Sequence, residues 1–453
     1  YSLLKINELL KDIDKIALTK QYEFINASIN EKVKSDKIDF EINISESEKF
    51  YIEKININGN FNTLEEVVRN NLIVDEGDPF NEILFNKSVN NIQSLGIFKK
   101  VKTDVRDGSR DSFKEIDINV EERPTGEISL TAGFGTAGET IGGGIKEKNF
   151  LGKGINLNTN LEFTPESIKG QFIYARPNFN YSDNTLFTSV KSSTSDFLTD
   201  SGYKTSNIGF SLGTKFEQFQ NIFLSPEIDF LIEDLETSDK ASNILKKQEG
   251  SYTDLYFNYS INQDLRDKKY RTESGYVTTF SQELPLVSDN SELSNAFEIT
   301  NYRKLSSVSN IVGKASFYGK TITGLSDDVR ISKRLNVPSY RLRGFQRGKV
   351  GPVENNDYIG GNHITSVNLS ATLPNIVEGL DNLDVGVFLD SANVWGVDYD
   401  SSIDDKSTLR SAAGVALNLM TPIGPLSFSF ADALTKASSD KTETFRFNLG
   451  TQF

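Results

Sequence analysis

The feature that most constrains the fold is a strict two-residue alternation of apolar and polar side chains, which recurs from Gly126 to the C-terminus. In residues 367–373, valine, leucine and alanine occupy every odd position and polar side chains occupy every even one. In residues 384–390 valine and leucine again occupy every odd position, opposite a face that carries Asp384, Gly386 and Asp390. Because successive side chains of a strand point to opposite faces, this pattern predicts β-strands with one apolar face and one polar face.

The connections between these segments differ in length in a regular way. Short connections at residues 149–153 and 421–425 alternate with long ones at 233–250, 324–361 and 396–409. Transmembrane barrels have short periplasmic turns, long outer loops, a lipid-facing apolar face and a polar lumen. The pattern therefore favours a barrel in a membrane over a soluble sandwich.

Composition supports the same interpretation. Aromatic residues make up 11% of the 453-residue chain, with 31 Phe and 16 Tyr, which suits aromatic girdles at the membrane surfaces. The mean hydropathy is -0.38, and no segment offers the ~20 continuous apolar residues that a spanning helix needs. Residues 123–453 have room for roughly sixteen strands at about 20 residues per strand and connection. We predict a sixteen-stranded antiparallel transmembrane β-barrel in this segment.

Several kinds of chemistry are disfavoured. A net charge of -14 predicts no basic face for nucleic acid, and the absence of cysteine leaves no thiol nucleophile or thiolate metal site. The single histidine, His363, has no second imidazole and no nucleophile elbow to work with. Acidic residues between 398 and 405 lack the order of an EF-hand and are expected to form a solvated loop. We predict no enzyme activity, no cofactor and no metal site.

Residues 1–122 follow a different pattern and contain a repeat. The stretch 40–46 resembles 116–122, with apolar residues at the same alternate positions. Each copy is predicted to be the strand that closes a small α+β unit. Ahead of the first copy only the later part of a unit remains, with a helix over residues 3–17, and the chain opens at Tyr1 without an initiator Met. Further repeats are therefore expected to precede it.

The unit that ends with the second copy is complete. A strand over residues 50–58 precedes a helix for which Thr63 is the predicted N-cap, with Glu66 three residues on. A second helix over residues 80–95 is predicted to end at Gly96. Two strands follow, so the predicted order is β-α-α-β-β.

A cationic loop punctuated by glycines, residues 340–352, lies among the predicted barrel strands and is followed by a Gly-Gly-Asn turn. It resembles the loop-six signature of BamA-type outer-membrane barrel assembly factors, and Arg343, Gly344 and Phe345 match the Arg-Gly-Phe tip. The resemblance implies that loop six, about 324–361 here, folds back into the barrel lumen. A guanidinium there needs a carboxylate, and glycine allows the backbone to turn sharply beside it.

The same resemblance implies a partner for Arg343. Asp390 lies on the predicted lumen face of its strand and matches the acidic residue that receives the loop-six arginine in the family. The family usually offers a second acidic group on the preceding strand, and the matching position here is Ser370. This departure leaves Asp390 as the main predicted acceptor.

The last strand resembles the terminal β-signal of outer-membrane barrels. Its apolar side chains alternate on the face predicted to meet lipid, and the signal residues are Phe445, Phe447, Leu449 and Phe453. The resemblance implies a weak seam between this strand and the first one, near residues 126–134. The seam residues of the first strand are Gly126, Leu130, Gly133 and Phe134.

The N-terminal units resemble the periplasmic POTRA domains of the same family. Residues 1–46 correspond to the C-terminal part of one POTRA domain, residues 47–122 to a complete one, and residues 123–453 to the barrel. The resemblance implies a β-dominated membrane protein of the bacterial outer membrane. Its implied function is that of the central subunit of the barrel assembly machine, which folds and inserts precursors through a lateral seam. The implied partners are unfolded precursors, accessory lipoproteins, outer-membrane lipid and lipopolysaccharide, without nucleic acid.

A sibling polypeptide transporter, either a TamA-type factor or a two-partner secretion pore, shares an RGF-like loop and remains the alternative. A secretion pore would carry an N-terminal plug helix and two POTRA units. A passive porin, which belongs to a different class, would not need residues 50–122.

Overall fold

A computed structural model gives the fold. It describes residues 25–34, 37–46, 50–136, 138–268, 272–306, 311–374, 383–399, 402–421 and 424–449. The helix predicted over residues 3–17 and the C-terminal Phe453 lie outside these ranges. Among the described helices, none has the length and apolar character needed to cross a membrane. The chain divides into two compact units, residues 1–126 with 147–156, and residues 127–146 with 157–453.

The first unit contains an antiparallel hairpin and a three-stranded sheet with two helices. Its elements are β1 (Ile25–Lys34), β2 (Lys37–Glu46), β3 (Tyr51–Asn58), α1 (Glu65–Arg69), α2 (Glu82–Ser94), β4 (Phe98–Asp107) and β5 (Phe113–Glu122). From β3 onward this is the predicted β-α-α-β-β order. Strand β5 lies between β3, to which it is parallel, and β4, to which it is antiparallel. Ile55, Val68, Ile92 and Ile116 are fully buried between the sheet and the helices.

The start of α1 differs from the prediction. The N-cap is Leu64 rather than Thr63, and it makes no side-chain capping bond. Thr63 Oγ1 instead accepts a hydrogen bond from the side-chain amide of Asn149 at 2.8 Å. Glu122 accepts hydrogen bonds from the backbone N–H of Thr63 at 2.7 Å and of Asn62 at 3.1 Å. The Thr63 side chain is buried and does not cap the helix. Gly96 follows α2 with a φ of 66°, in the left-handed region expected of a helix end.

A closed barrel occupies the rest of the chain, and it has sixteen strands in the described residues. The strands are β6 (Gly126–Gly135), β7 (Gly138–Phe150), β8 (Ile155–Phe163), β9 (Ser167–Arg176), β10 (Thr185–Phe197), β11 (Tyr203–Phe219), β12 (Ile222–Thr237), β13 (Gly250–Asp264), β14 (Gly275–Ser288), β15 (Glu292–Lys304), β16 (Val312–Gly324), β19 (His363–Pro374), β20 (Leu383–Trp395), β21 (Arg410–Thr421), β22 (Gly424–Thr435) and β23 (Phe445–Leu449). Short strands β17 (Val353–Glu354) and β18 (Asp357–Tyr358) form a hairpin between β16 and β19, and a helix α3 (Asn243–Lys246) lies between β12 and β13. The predicted sixteen-stranded antiparallel barrel is confirmed.

The alternation of the sequence sets which side chains face outward. On β19 and β20 the outward-facing Leu369 and Val387 are 44% and 50% exposed, whereas Asp390 on the opposite face is fully buried. A polar side chain buried in this way needs partners within the barrel. The lumen therefore contains a network of polar contacts that positions the candidate site.

Candidate functional site in the barrel lumen

The lumen loop, residues 324–361, connects β16 to β19 and packs inside the barrel. Phe345 at its tip is 1% exposed and lies in an apolar cluster with loop residue Leu342 and with Ile364 and Val394 of the barrel wall. Burying a phenylalanine side chain contributes about 2–3 kcal/mol. The loop tip is therefore held partly by apolar packing against β19 and β20.

Arg343 forms a two-pronged ion pair with Asp390 of β20. The guanidinium Nε lies 2.7 Å from Oδ2 and Nη2 lies 2.9 Å from Oδ1, and the backbone N–H of Arg343 donates to Oδ2 at 3.1 Å. The guanidinium also lies over the ring of Phe388, 3.4 Å from its centre. Parallel hydrogen bonds of this kind fix orientation as well as position. The structure thus brings together Arg343 and Asp390, the two residues that the sequence paired.

The second residue beside Asp390 is Asn368 rather than Ser370. Asn368 lies directly opposite Asp390 in the register of β19 and β20, whereas Ser370 lies opposite Phe388. The side-chain amide of Asn368 donates to Asp390 Oδ1 at 2.9 Å and to the carbonyl of Arg341 at 2.7 Å. Ser370 lies two residues further along β19 than Asn368. The register between β19 and β20 determines which residue lies opposite Asp390, and the pattern of a single strand does not reveal that register.

Gly344 lets the loop tip approach the barrel wall closely. Its φ is 86°, in the left-handed region that glycine adopts without strain. A Cβ at this position would lie 2.9 Å from the Cβ of Ala412 and 3.2 Å from that of Ala431. Glycine at the tip and alanines on the wall therefore work together to seat the loop.

The loop tip is also attached to the segment that leads into the last strand. The backbone N–H of Gln346 donates to Lys441 O at 2.9 Å, and the N–H of Glu443 donates to Gly344 O at 3.0 Å. Arg446 of β23 is buried and donates to the carbonyl of Phe345 at 2.6 Å. The last strand is thus linked by backbone and side-chain bonds to the tip itself.

A second arginine of the lumen loop, Arg330, is fully buried among three carboxylates. Its guanidinium lies 3.1 Å from Glu233, 2.6 Å from Asp254 and 3.1 Å from Glu292, on strands β12, β13 and β15. Burial would lower the pKa of Arg330, but the three carboxylates outweigh it and raise the pKa above its ordinary value. One cation therefore ties the loop to three strands, and the cluster holds more negative than positive charge.

A third attachment lies at the outer end of the barrel. Arg410 of β21 pairs with Asp440, with Nε 2.9 Å from Oδ2 and Nη2 3.2 Å from Oδ1. The carboxylate of Asp440 also accepts the backbone N–H of Gly351 in the lumen loop at 3.3 Å. Both side chains of the pair are buried.

The two ends of the barrel sheet meet between β23 and β6. In the described residues, all five residues of β23 pair with β22, whereas only Asn448 and Leu449 pair with β6, opposite Gly135 and Phe134. One further bond runs from Thr136 N to Phe447 O at 3.2 Å.

The predicted seam residues fall on both faces of these strands. Phe134 and Phe445 are exposed on the outer wall, and the rings of Phe134 and Phe447 lie 5.9 Å apart. Gly126 and Leu130 are exposed on β6, and Gly133 is half-buried. Phe453, the last residue of the predicted terminal signal, lies outside the described residues.

The remaining sequence candidates have structural contacts. The ring of His363 packs beside that of Trp395, with centres 5.5 Å apart. Asp398 pairs with the buried Arg334 at 2.7 Å, and Asp405 accepts the N–H of Val397. Within the described ranges, no group of three or more acidic, histidine or cysteine residues has the arrangement of a metal site.

Several of these contacts could not be read from the sequence. For Arg446 the sequence carries a weak indication of such a contact, because this residue is a cation on the lumen face of a strand whose other face is aromatic. Glu233 and Glu292 likewise fall on positions whose neighbours two residues away are buried. No pattern within one strand predicts that they pair with Arg330, because the three strands that carry the carboxylates are far from the loop in the chain.

Two family models match the chain. The model described as the Omp85 superfamily domain matches residues 149–453, and the POTRA model, described as a surface antigen variable number repeat, matches residues 50–123.

Curated relatives include two proteins named outer membrane protein assembly factor BamA. The one from Neisseria meningitidis serogroup B is 24% identical over 483 residues, with 92% of this chain and 58% of the relative covered. The one from Neorickettsia risticii is 24% identical over 440 residues, with 92% and 57% covered. The chain thus spans less than two thirds of the length of these relatives.

Solved structures show the same fold. The crystal structure of BamA from Haemophilus ducreyi lacking POTRA domains 1–3 has a TM-score of 0.77 at 21% identity, covering 100% of this chain and 94% of that one. CdiB from Acinetobacter baumannii has a TM-score of 0.57 at 13% identity, covering 98% and 82%. At these identities the likeness concerns the fold alone.

Proposed function

Because the chain belongs to the Omp85 superfamily, we propose that it is the central subunit of an outer-membrane barrel assembly machine, which folds and inserts β-barrel precursors. The protein is located in the outer membrane with its POTRA units in the periplasm. The relatives named as assembly factors align with most of this chain, which supports an assembly role.

The observation that carries the proposal is the unequal pairing of β23. Its described residues are fully paired with β22, but only two of them are paired with β6. Among the described residues, two backbone pairs require less free energy to part than the five that join β23 to β22. A seam of this kind opens sideways and presents an unpaired edge, on which a client strand forms main-chain hydrogen bonds without demanding a particular sequence.

The lumen loop is proposed to set the resting state of that seam. Its tip is tied to β20 through Arg343 and Asp390, and to the terminal segment through Arg446. A movement of β23 therefore changes contacts at the tip. In this proposal Arg343, Gly344 and Phe345 hold the terminal strand in register with the rest of the sheet.

The proposed partners follow from this role. They are unfolded outer-membrane protein precursors, accessory lipoproteins of the assembly complex, and the lipid and lipopolysaccharide of the outer membrane. The proposed role is not enzymatic, because strand pairing and the burial of lipid-facing side chains supply the driving force without a cofactor.

The second candidate is a polypeptide transporter of the same superfamily. The fold likeness to CdiB, at a TM-score of 0.57, favours keeping it. A transporter passes a chain through the lumen, whereas an assembly factor passes strands through the seam. In this structure the lumen loop fills part of the barrel interior with buried side chains such as Phe345 and Arg330, so transport through the lumen would require the loop to leave.

The two candidates are separated by reconstitution of the full chain in lipid vesicles. We expect a denatured model β-barrel, added outside, to become protease-resistant and heat-modifiable in the vesicle membrane. A non-barrel secreted polypeptide should remain outside. Release of that polypeptide into the vesicle interior, without acceleration of barrel insertion, would contradict the assembly role and favour the transporter.

A further inference from the structure

An outward-facing groove of about 490 Å³ lies on the barrel wall across β15, β16, β19 and β20. Its floor is made of small residues: Gly313 is paired with Ala371, and Ala315 is paired with Leu369 two residues further along. These positions lie on the face that carries Phe317, which is 40% exposed. The groove is therefore part of the lipid-facing surface and not of the lumen.

The wall of the groove on β19 and β20 is apolar. Leu369, Leu389 and Val387 form one wall and are exposed on the outer face of the barrel. Leu305 lies on the other side of the groove. A Cβ added at Gly313 would lie 3.0 Å from the Leu305 side chain. A larger residue at the floor would fill the depression.

The opposite side of the groove, on β15, carries a cation and an amide. Arg303 is paired with Gly313, and Asn301 is paired with Ala315, so both side chains point to the outer face beside the floor. Both residues are exposed, and the described residues provide no ion pair for Arg303. A cation on the lipid-facing surface is costly unless its head reaches the interface and an anion there.

The end of the groove at Arg303 lies at the periplasmic side of the membrane. The first barrel strand, β6, follows the POTRA unit and so starts from the periplasm, and β15 and β16 are the tenth and eleventh strands. The turn that joins an even strand to the next odd strand is therefore periplasmic. Arg303 lies next to that turn, at the depth where lipid phosphates are found.

We propose that this groove binds one anionic phospholipid of the periplasmic leaflet. Arg303 and Asn301 contact the phosphate, and one acyl chain lies along Gly313, Ala315 and Ala371. A guanidinium presents several donors that match phosphate oxygens. The occupant is a lipid because the groove continues into the apolar band of the barrel, where acyl chains are the solvent. The site is independent of the proposed assembly activity, since it requires only that the barrel span the membrane.

The test is lipid retention by the full chain, measured by native mass spectrometry after release from nanodiscs of equal phosphatidylglycerol and phosphatidylcholine. We expect Arg303→Gln to lower the retained phosphatidylglycerol about fivefold, the loss that corresponds to one surface cation. The matched control is Arg176→Gln. Arg176 is also exposed at the periplasmic end of a strand, but it packs on Phe179 instead of bordering the groove.

A second variant tests the acyl-chain contact separately. Ala371→Phe keeps Arg303 but fills the floor, and we expect it to lower retention of phosphatidylglycerol as Arg303→Gln does. Heat-modifiable mobility confirms that each variant is folded. Equal losses in Arg303→Gln and Arg176→Gln would overturn the headgroup contact, and unchanged retention in Ala371→Phe would overturn the groove as the chain site.

Discussion

Guanidinium groups hold the lumen loop: Arg330 is fully buried and Arg343 is half-buried against the buried Asp390. Each has a different number of carboxylate partners. Arg343 meets one carboxylate, that of Asp390, whereas Arg330 meets those of Glu233, Asp254 and Glu292. Removing one partner of a buried pair leaves the other charge without compensation, which costs more than the pair itself contributes. The number of carboxylates around each arginine therefore predicts which substitutions are tolerated.

For the one-to-one pair, we expect Arg343→Ala and Asp390→Ala each to destabilise the folded barrel by about 3 kcal/mol. The double variant should be little worse than either single one, because both remove the same interaction. The temperature at which heat-modifiable mobility is lost measures the effect. Arg347→Ala is the control, since this half-exposed loop arginine lies 3.8 Å from Glu166 in a looser pair. Fully additive losses at Arg343 and Asp390 would show that the two residues act separately.

For the cluster with excess negative charge, loss of the cation should be far more destabilising than loss of one carboxylate charge. We expect Arg330→Met to lower the unfolding temperature by roughly 10 °C, because three buried carboxylates lose the cation that pairs with all of them. Glu233→Gln should change it by less than about 2 °C, because it removes one of three like charges while keeping the shape of the side chain. A larger loss in Glu233→Gln than in Arg330→Met would contradict the charge balance seen around Arg330.

The POTRA unit depends on one carboxylate at the end of β5. Burial alone would raise the pKa of Glu122, but hydrogen bonds from Thr63 and Asn62 outweigh it and hold the pKa below its ordinary value of 4.5. A group whose pKa is lowered on folding stabilises the fold fully above its unfolded pKa. That contribution is lost as the pH falls from about 4.5 through the folded value.

We therefore expect Glu122→Gln to speed hydrogen exchange at the Asn62 and Thr63 amides at pH 7, after correction for intrinsic rates. The difference from the parent protein should shrink as the pH falls below 4.5. Glu121→Gln is the matched control, because the neighbouring carboxylate is solvent-exposed and pairs with Lys99. A difference that persists unchanged at low pH would show that shape, and not charge, makes Glu122 important.

The last strand offers adjacent residues on opposite faces. Leu449 shares the outward face of Phe445, whereas Asn448 shares the lumen face of the buried Arg446. A lysine on the lipid face costs about 2–4 kcal/mol at the membrane midplane, whereas a lysine in the lumen remains hydrated. We expect Leu449→Lys to lower the membrane-inserted yield far more than Asn448→Lys does, as measured by membrane fractionation. Equal yields would reverse the assignment of faces.

These elements show what a sequence can and cannot predict here. The period of two predicted the strands and their outward faces, and chain length predicted sixteen strands. Local turn and cap patterns were less reliable: Thr63 does not cap α1, and its hydroxyl oxygen accepts a hydrogen bond from the distant Asn149 instead. The neighbour of Asp390 across the strands also depends on a distant segment, since the register with β20 places Asn368 opposite Asp390 and Ser370 opposite Phe388. Contacts between distant segments, such as Arg330 with three strands, leave no periodic trace.

The whole molecule has a barrel whose two terminal strands meet at one junction, with the lumen loop attached to the last of them. The seam and the loop are linked through Arg446, which binds the carbonyls of Phe345 and Ser339. We predict that opening the junction between β6 and β23 is required for insertion of a client barrel. Separation of any other pair of neighbouring strands should not be required for insertion.

A disulfide across the junction tests this most directly, because the chain has no native cysteine. Gly135→Cys with Asn448→Cys joins a directly paired position of β6 and β23, within the Cα distance of less than about 7 Å that a disulfide spans. The matched control is Ser189→Cys with Ser211→Cys, whose hydroxyls lie 2.7 Å apart between β10 and β11. Both oxidised proteins should keep heat-modifiable mobility.

The rate at which a model barrel inserts into vesicles that contain each oxidised protein is the deciding measurement. We expect the bond between positions 135 and 448 to stop insertion and reductant to restore it, while the bond between positions 189 and 211 leaves insertion unchanged. Normal insertion through a fully oxidised junction of β6 and β23 would contradict the lateral-opening account.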